Sequence, residues 1–372
     1  MTNNKPYDAT NSTNPWLMKC SGSPLVCDGQ ELTAEYIWSK CGSDREALLE
    51  WVFAYYRKNG YPVFKLTDAE LQEDFKALKS KDANDIIESG AIKNSNTVGL
   101  DAAKHFTADL FAAVGGTKSK SCLDAFNDDE LFKKVLRNRM GWCVSKEDGT
   151  ERPYVFGIND KMIVQGFRSS AIGHSVSHFK PLIAKYVYEK YKVKSTIDYS
   201  CGWGARCVGA LSLGINYYGI DPLTYDRINQ IIKYFNGSGV ALGDGSESLD
   251  YSVFPDVDMC FSCPPYFDLE IYSNDEKQSS QHKKYENWLE KYWEPTVEKC
   301  FGKCSYFGFV AVKNVRKYNL LDDMSAVCLK NGGVLIEDTP IKVSKSHLSG
   351  KAQSKNVDKK TEHLLVYKVG NV

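Results

Sequence analysis

Between Ser195 and Tyr272 four short apolar runs end in turn-forming or acidic residues, and no other stretch limits the possible folds so tightly. Ile197–Tyr199 runs into Ser200-Cys201-Gly202-Trp203-Gly204 and a helix start. Tyr217–Ile220 ends on Asp221, and Val240–Leu242 ends on Gly243-Asp244. Val257–Phe261 leaves through Ser262, Cys263, Pro264, Pro265 and Tyr266. Short apolar runs alternating with helical periodicity are strands of a parallel sheet with helices on its faces. Later runs at Tyr306–Val312, Gly333–Glu337 and Leu364–Val369 bring the set to seven. The pattern predicts an α/β fold with a doubly wound, seven-stranded, mostly parallel sheet. Ligands of such sheets bind beyond the carboxyl ends of the strands, where these turns and acids fall.

Upstream the pattern is helical. Residues 1–15 are polar with nothing to bury and are expected to be a disordered tail. Residues 16–150 are expected to form a mostly helical N-terminal domain. ALLEWVFAYYRKNGYP is a helix stopped by Gly60 and Pro62. Thr67 with Glu70 makes a capping box for a second. AAKHFTADLFAAVGG reads as a third and DDELFKKVLRNRMGW as a fourth. The turn-rich KEDGTERPY from Lys146 marks a boundary, so the sheet domain is expected over 151–372. KMIVQGF reads as a short strand, and the Lys/Ser-rich loop at 342–360 as mobile.

Composition excludes several classes. Lys+Arg and Asp+Glu both number 47, so no global field attracts nucleic acid, and such binding needs a local basic patch. The twelve cysteines are scattered and predict reduced thiols in a cytoplasmic protein. Cys260 and Cys263 form one CxxC with no second pair to complete a metal site, so no metal is expected. His105 and His174 lack ligand spacing. The N-terminus has no apolar core of a signal peptide, and no stretch approaches a membrane span.

Gly202 and Gly204 let the backbone turn sharply and approach a ligand closely. Asp221, about twenty residues on, suits ribose hydroxyls. Asp244 suits an adenine amino group. The third glycine of the dinucleotide fingerprint is missing. The set resembles class I S-adenosylmethionine-dependent methyltransferases, whose Rossmann-like fold carries the methionine, ribose and adenine contacts at these strand ends. The resemblance covers roughly residues 165–370. It implies S-adenosylmethionine as cofactor. Asp198, Gly202 and Gly204 would lie near its amino-acid part, Asp221 at the ribose and Asp244 at the adenine. His178-Phe179-Lys180-Pro181 resembles the family motif that packs near the methionine end, which adds Phe179; Ser262 joins the cofactor set.

The run Ser262-Cys263-Pro264-Pro265-Tyr266 resembles the Pro-Pro-Tyr signature of the amino-methyltransferases, which make N6-methyladenine or N4-methylcytosine. An exocyclic amine is a poor nucleophile because its lone pair is delocalised. Fixed acceptors for its N–H groups favour a tetrahedral nitrogen aimed at the methyl group, and two prolines stiffen the turn that supplies them. Tyr266 can stack on a base turned out of the helix. Cys263 stands where the pattern has Asp, Asn or Ser, and a thiol is a weak hydrogen-bond partner. The catalytic set is therefore expected at Cys263, Pro264, Pro265 and Tyr266, by one of three routes. The Pro264 carbonyl carries the polarisation; or a Cys263 thiolate attacks C6 of a pyrimidine for C5 methylation; or the cysteine is structural.

The resemblance implies a double-stranded DNA methyltransferase, with adenine N6 first and cytosine N4 second. A phage-type or host-protecting modification enzyme fits, since no nuclease motif is visible. Recognition would fall to residues 16–150, 268–295 and the basic loop 342–360. Tyr285, Trp288, Leu289 and Tyr292, at i, i+3, i+4 and i+7, read either as base-stacking aromatics or as a core face. Two other classes remain: a non-catalytic methyltransferase-like binding module, and methylation of RNA or a protein glutamine.

Overall fold

The computed structural model describes residues 17–19, 23–40, 42–63, 66–113, 120–141, 157–169, 176–269, 272, 276–342 and 361–370. The expected tail at 1–15, the boundary from Lys146, His174 and most of the 342–360 loop lie outside them.

Two compact units emerge, neither continuous in sequence: 1–65 with 108–176, and 66–107 with 177–372. This differs from the boundary expected at 150/151. Residues 66–107 join the sheet unit because Leu71, Phe75, Leu78, Ala102 and Ala103 share a core with its helices. The sequence AAKHFTADLFAAVGG, expected as one helix, divides there. Leu100–Phe106 ends at Thr107, whose Oγ1 donates back to the Ala103 carbonyl at 2.9 Å, and a 3-10 turn follows at Ala108–Ala112.

The first unit is mostly helical. Gly42–Asn59, Asp129–Arg139 and Asp160–Ser169 surround an aromatic core that includes Tyr56, Phe132 and Phe167. Asp160–Ser169 corrects the strand expected at KMIVQGF: Asn159 Oδ1 caps it by accepting from Met162 N at 2.9 Å, and Ile163 and Phe167 are buried one turn apart.

The second unit is built on a nine-stranded sheet. In chain order its strands are β1 (Ile87–Glu88), β2 (Ala91–Lys93), β3 (Ser195–Asp198), β4 (Asn216–Ile220), β5 (Gly239–Leu242), β6 (Val257–Ser262), β7 (Cys304–Val312), β8 (Gly333–Lys342) and β9 (Glu362–Val369). Across the sheet they run β1-β2-β8-β9-β7-β6-β3-β4-β5. The seven expected strands are all present, and β3, β4, β5, β6 and β7 are parallel. β9 is antiparallel to both neighbours, β7 and β8. The hairpin β1–β2 extends the sheet beyond β8, with Ile92 paired to Ile341.

Period-two alternation sorts side chains to opposite faces. Phe261, Val310, Leu364 and Val366 join the core beneath helices α1 (Asp68–Ser80), α2 (Leu100–Phe106), α3 (Pro181–Lys190), α4 (Ala205–Leu211) and α5 (Tyr225–Tyr234). Cys260, Phe307, Phe309, Leu365 and Tyr367 join an aromatic core on the other face with Trp288, Trp293 and Tyr292. The sheet is thus doubly wound with both faces covered, as a parallel sheet requires. Tyr285, Trp288 and Tyr292 are core residues, which favours the core-face alternative for that helix.

The helix at Asp68–Ser80 carries the expected capping box, with Thr67 Oγ1 accepting from Glu70 N and Glu70 Oε2 accepting from Thr67 N. His105 is a satisfied side chain whose Nδ1 accepts from Leu66 N at 2.9 Å.

Candidate active site

β3 ends on Asp198, and the chain then folds back through Gly202 (φ +51°) and Gly204 (φ +80°) into α4. A Cβ on Gly204 would come 2.5 Å from Ile231 Cδ1, besides forcing an L-residue into the left-handed region. Gly204→Ala should therefore cost about 1–3 kcal/mol, read as a lower urea midpoint. An unchanged midpoint would mean that the turn tolerates a side chain.

Asp198 itself does not reach the ligand space. Fully buried, it holds Arg206 Nε at 2.8 Å on Oδ2, the Tyr217 hydroxyl at 2.7 Å on Oδ2 and the Ser262 hydroxyl at 2.7 Å on Oδ1. Arg206 also donates to the Ser200 carbonyl. Asp198 and Ser262, expected at the cofactor, form a buried polar brace that ties β3, β4, α4 and β6 together. Arg206, which sequence reasoning passed over, lies between this brace and a cleft. Its guanidinium sits 5.1 Å from the centre of the Phe179 ring.

The cleft opens beyond the carboxyl ends of β3, β4, β5 and β6 and measures about 1220 Å³ including the solvent at its mouth. Phe179, Gly202, Asp221, Asp244, Cys263, Pro264, Pro265 and Tyr266 all line it. Asp198, Gly204 and Ser262 do not line it.

Asp221 is more committed than the sequence suggests. Its Oδ2 accepts from Gly202 N at 3.0 Å, and its Oδ1 from Leu223 N at 2.9 Å and Thr224 N at 3.0 Å. A carboxylate offers about four lone-pair sites, so room remains for one further hydroxyl rather than two. Burial pushes its carboxyl above the usual range, against the pull of those three N–H groups. Thr224 Oγ1 in turn donates to the Gly202 carbonyl, closing the link between the two loops.

Asp244 accepts from Gly245 N at 2.8 Å and pairs with Lys277 Nζ at 3.2 Å. Beside it Glu247, a residue the sequence reading missed, keeps Oε2 buried with no hydrogen-bond partner among the described residues. Burial raises its carboxyl, and Asp244 adds to the rise. An orphaned acceptor in this cleft fits a ligand that brings hydroxyl or amino donors. Tyr292 lines the cleft from the opposite core, its hydroxyl 3.1 Å from Ser200 Oγ. Trp203 and Tyr272 meet edge to face at 6.1 Å on its wall.

At the Pro-Pro-Tyr turn, Tyr266 Oη lies 3.2 Å from Cys263 Sγ and donates to Glu362 Oε1 at 3.0 Å. Burial first, then Cys263 and Glu362, holds the phenol far above its ordinary pKa. Tyr266 therefore keeps its proton and donates it in the hydrogen bond to Glu362 Oε1. Its oxygen can then accept from the Cys263 thiol. Glu362 starts β9, nearly a hundred residues from the turn, and no local signal marks it.

Arg316 pairs with Asp268 Oδ2 at 2.9 Å. Among the described residues no group of three or more His, Cys, Asp or Glu side chains is placed to hold a metal, and no helix is long and apolar enough to cross a membrane.

No protein-family model matches the sequence, and no curated protein matches it. Among solved structures, a provisionally assigned class I S-adenosylmethionine-dependent methyltransferase from Listeria monocytogenes is similar at 16% identity and a TM-score of 0.40, over 82% of this chain and 90% of that one. A provisionally named RNA methyltransferase from Pyrococcus horikoshii matches at 14% identity and 0.36, over 51% of this chain and 83% of its own. A methyltransferase from Pyrococcus furiosus matches at 15% and 0.35, over 53% and 89%.

Proposed function

We propose that the chain is an S-adenosylmethionine-dependent methyltransferase acting on the exocyclic amino group of a nucleobase, adenine N6 of double-stranded DNA. One observation carries the reading: a single cleft is lined both by the strand-end acids Asp221 and Asp244 and by the Pro264-Pro265-Tyr266 turn. Cofactor groups and an amine-holding turn have to share one space for a direct methyl transfer.

Within that reading Asp221 accepts a ribose hydroxyl with its remaining lone pair, and Glu247 and Asp244 offer acceptors at the nucleoside end. Phe179 covers the Arg206 side of the cleft. When bound, the cofactor supplies an electrophilic methyl group. The residues of the turn hold the base edge so that the amine nitrogen faces it, and the Tyr266 ring stacks on the base. The Tyr266–Glu362 bond directs the phenolic proton away from Cys263.

The test is incubation with methyl-labelled S-adenosylmethionine and mixed-sequence DNA or RNA, followed by nucleoside mass spectrometry. N6-methyladenine in DNA is the expected product. Label confined to RNA would move the substrate but keep the chemistry. 5-Methylcytosine would overturn the amino-group reading. Cofactor binding with no transfer to any nucleic acid would favour a binding module or a protein substrate.

A further inference from the structure

The turn that should hold the amine lacks the side-chain acceptor its pattern calls for, because Cys263 stands in that place. A thiol accepts hydrogen bonds weakly. We propose that the missing acceptor comes from β9: the Glu362 carboxylate takes the N–H of the substrate's exocyclic amino group and then its proton. The proposal rests on the amino-methyltransferase reading above.

Topology brings Glu362 to the right place. It opens β9, which is antiparallel to its neighbours, and pairs with Val312 at the carboxyl end of β7 and with Ile341 near the end of β8. The first residue of an antiparallel strand therefore lies level with the carboxyl ends of the parallel strands, where β6 runs into the Pro-Pro-Tyr turn. Glu362 lines the same cleft as Cys263, Pro264 and Pro265. The Tyr266 hydroxyl, 3.0 Å away, fixes the carboxylate through Oε1. One residue thus contacts the cleft and is anchored by the ring expected to stack on the base.

The chemistry needs a group of this type. As the amine nitrogen attacks, its lone pair forms the new N–C bond. The bond between the methyl carbon and the sulfonium sulfur breaks, and its electron pair stays on sulfur, leaving a neutral thioether. The nitrogen carries the positive charge until it sheds a proton. Glu362 receives that proton, becomes a neutral carboxylic acid and returns the proton to solvent after product leaves. Before transfer the same carboxylate accepts the N–H and favours the tetrahedral geometry that frees the lone pair.

Two substitutions grade the role. Glu362→Gln keeps an acceptor oxygen but cannot take the proton, whereas Glu362→Ala removes both. With mixed-sequence DNA, kcat should fall about tenfold in Glu362→Gln and a hundredfold or more in Glu362→Ala. The dissociation constant of S-adenosylhomocysteine should stay within about twofold, which also shows that the variants fold. A second measurement needs no turnover. In the presence of S-adenosylhomocysteine, equilibrium dialysis compares adenosine with purine riboside, which lacks the amino group. The native protein and Glu362→Gln should favour adenosine by about tenfold, and Glu362→Ala should not.

Glu362→Ala turning over within threefold of the native rate would overturn the proposal. So would a native protein indifferent to the amino group, or an adenosine preference that survives Glu362→Ala. If the native protein transfers no methyl yet shows a preference that Glu362→Ala abolishes, the methyltransferase reading fails and the acceptor role stands. If it methylates amino groups while Glu362→Ala has no effect, the acceptor role alone fails.

Discussion

Asp198→Ala is expected to destabilise the sheet unit by about 3–5 kcal/mol, the usual cost of leaving one partner of a buried ion pair uncompensated. The substitution would strand the Arg206 guanidinium, which is only 4% exposed, and remove the acceptor of the Tyr217 and Ser262 hydroxyls. Domains of this size are stable by about 5–15 kcal/mol, so much of the margin would go. Urea denaturation followed by tryptophan fluorescence measures it. A loss under 1 kcal/mol would show that the brace carries no weight. The double replacement Asp198→Leu with Arg206→Met separates charge from packing. Since apolar groups of similar volume can replace a buried pair with little loss, the double variant should recover the part of the loss that comes from the stranded charge, while the Tyr217 hydroxyl, left without this acceptor, keeps it about 1–3 kcal/mol below native. If it is as unstable as the single variant, shape and the hydroxyl hydrogen bonds rather than charge hold this corner of the fold.

The brace also shows where sequence reading stops. The strand ends were legible because short apolar runs with acids or glycines behind them have few other meanings, and all seven expected strands are in the sheet. What each acid does was less legible. Asp198, Asp221 and Asp244 occupy equivalent places in the sequence, yet Asp198 faces inward because Arg206 folds back on it from α4. A signal existed: Arg206 is the one charge in a helix, ARCVGAL, whose every residue is buried. A buried charge requires a partner, and the nearest acid at a strand end was the natural candidate. Asn159 was a similar clue. Its place before KMIVQGF is an N-cap signal, but a short run centred on Met162, Ile163 and Val164 reads equally well as strand. The hairpin at Ile87–Lys93 is too short to show period two, and Glu362 is brought to Tyr266 by strand pairing alone. No local pattern encodes either.

Asp221→Ala should produce the largest loss of cofactor affinity of any single change in the cleft, about a hundredfold or more. Two effects combine. The acceptor proposed for the ribose disappears, and a hydrogen bond to a charged group is worth about 1.5–3 kcal/mol, or ten- to a hundredfold in affinity. The carboxylate is also the joint between two loops, because it holds Gly202 N from one side and Leu223 N and Thr224 N from the other. Without it those donors lose their acceptor, and the positive-φ turn at Gly202 keeps Thr224 Oγ1 on its carbonyl and, one residue earlier, the Cys201 N–H on the Ile220 carbonyl. Preorganisation of both loops is lost together with the contact, so the ligand must order them as it binds. Asp221→Asn separates the two effects. One amide oxygen can serve the Leu223 and Thr224 donors, but the amide nitrogen that replaces the second oxygen cannot accept from Gly202 N. Asn should therefore fall between native and Ala in calorimetric titration with S-adenosylhomocysteine. Equal affinities for native and Asp221→Ala would remove Asp221 from the cofactor site and, with it, the main reason for placing a nucleoside in this cleft.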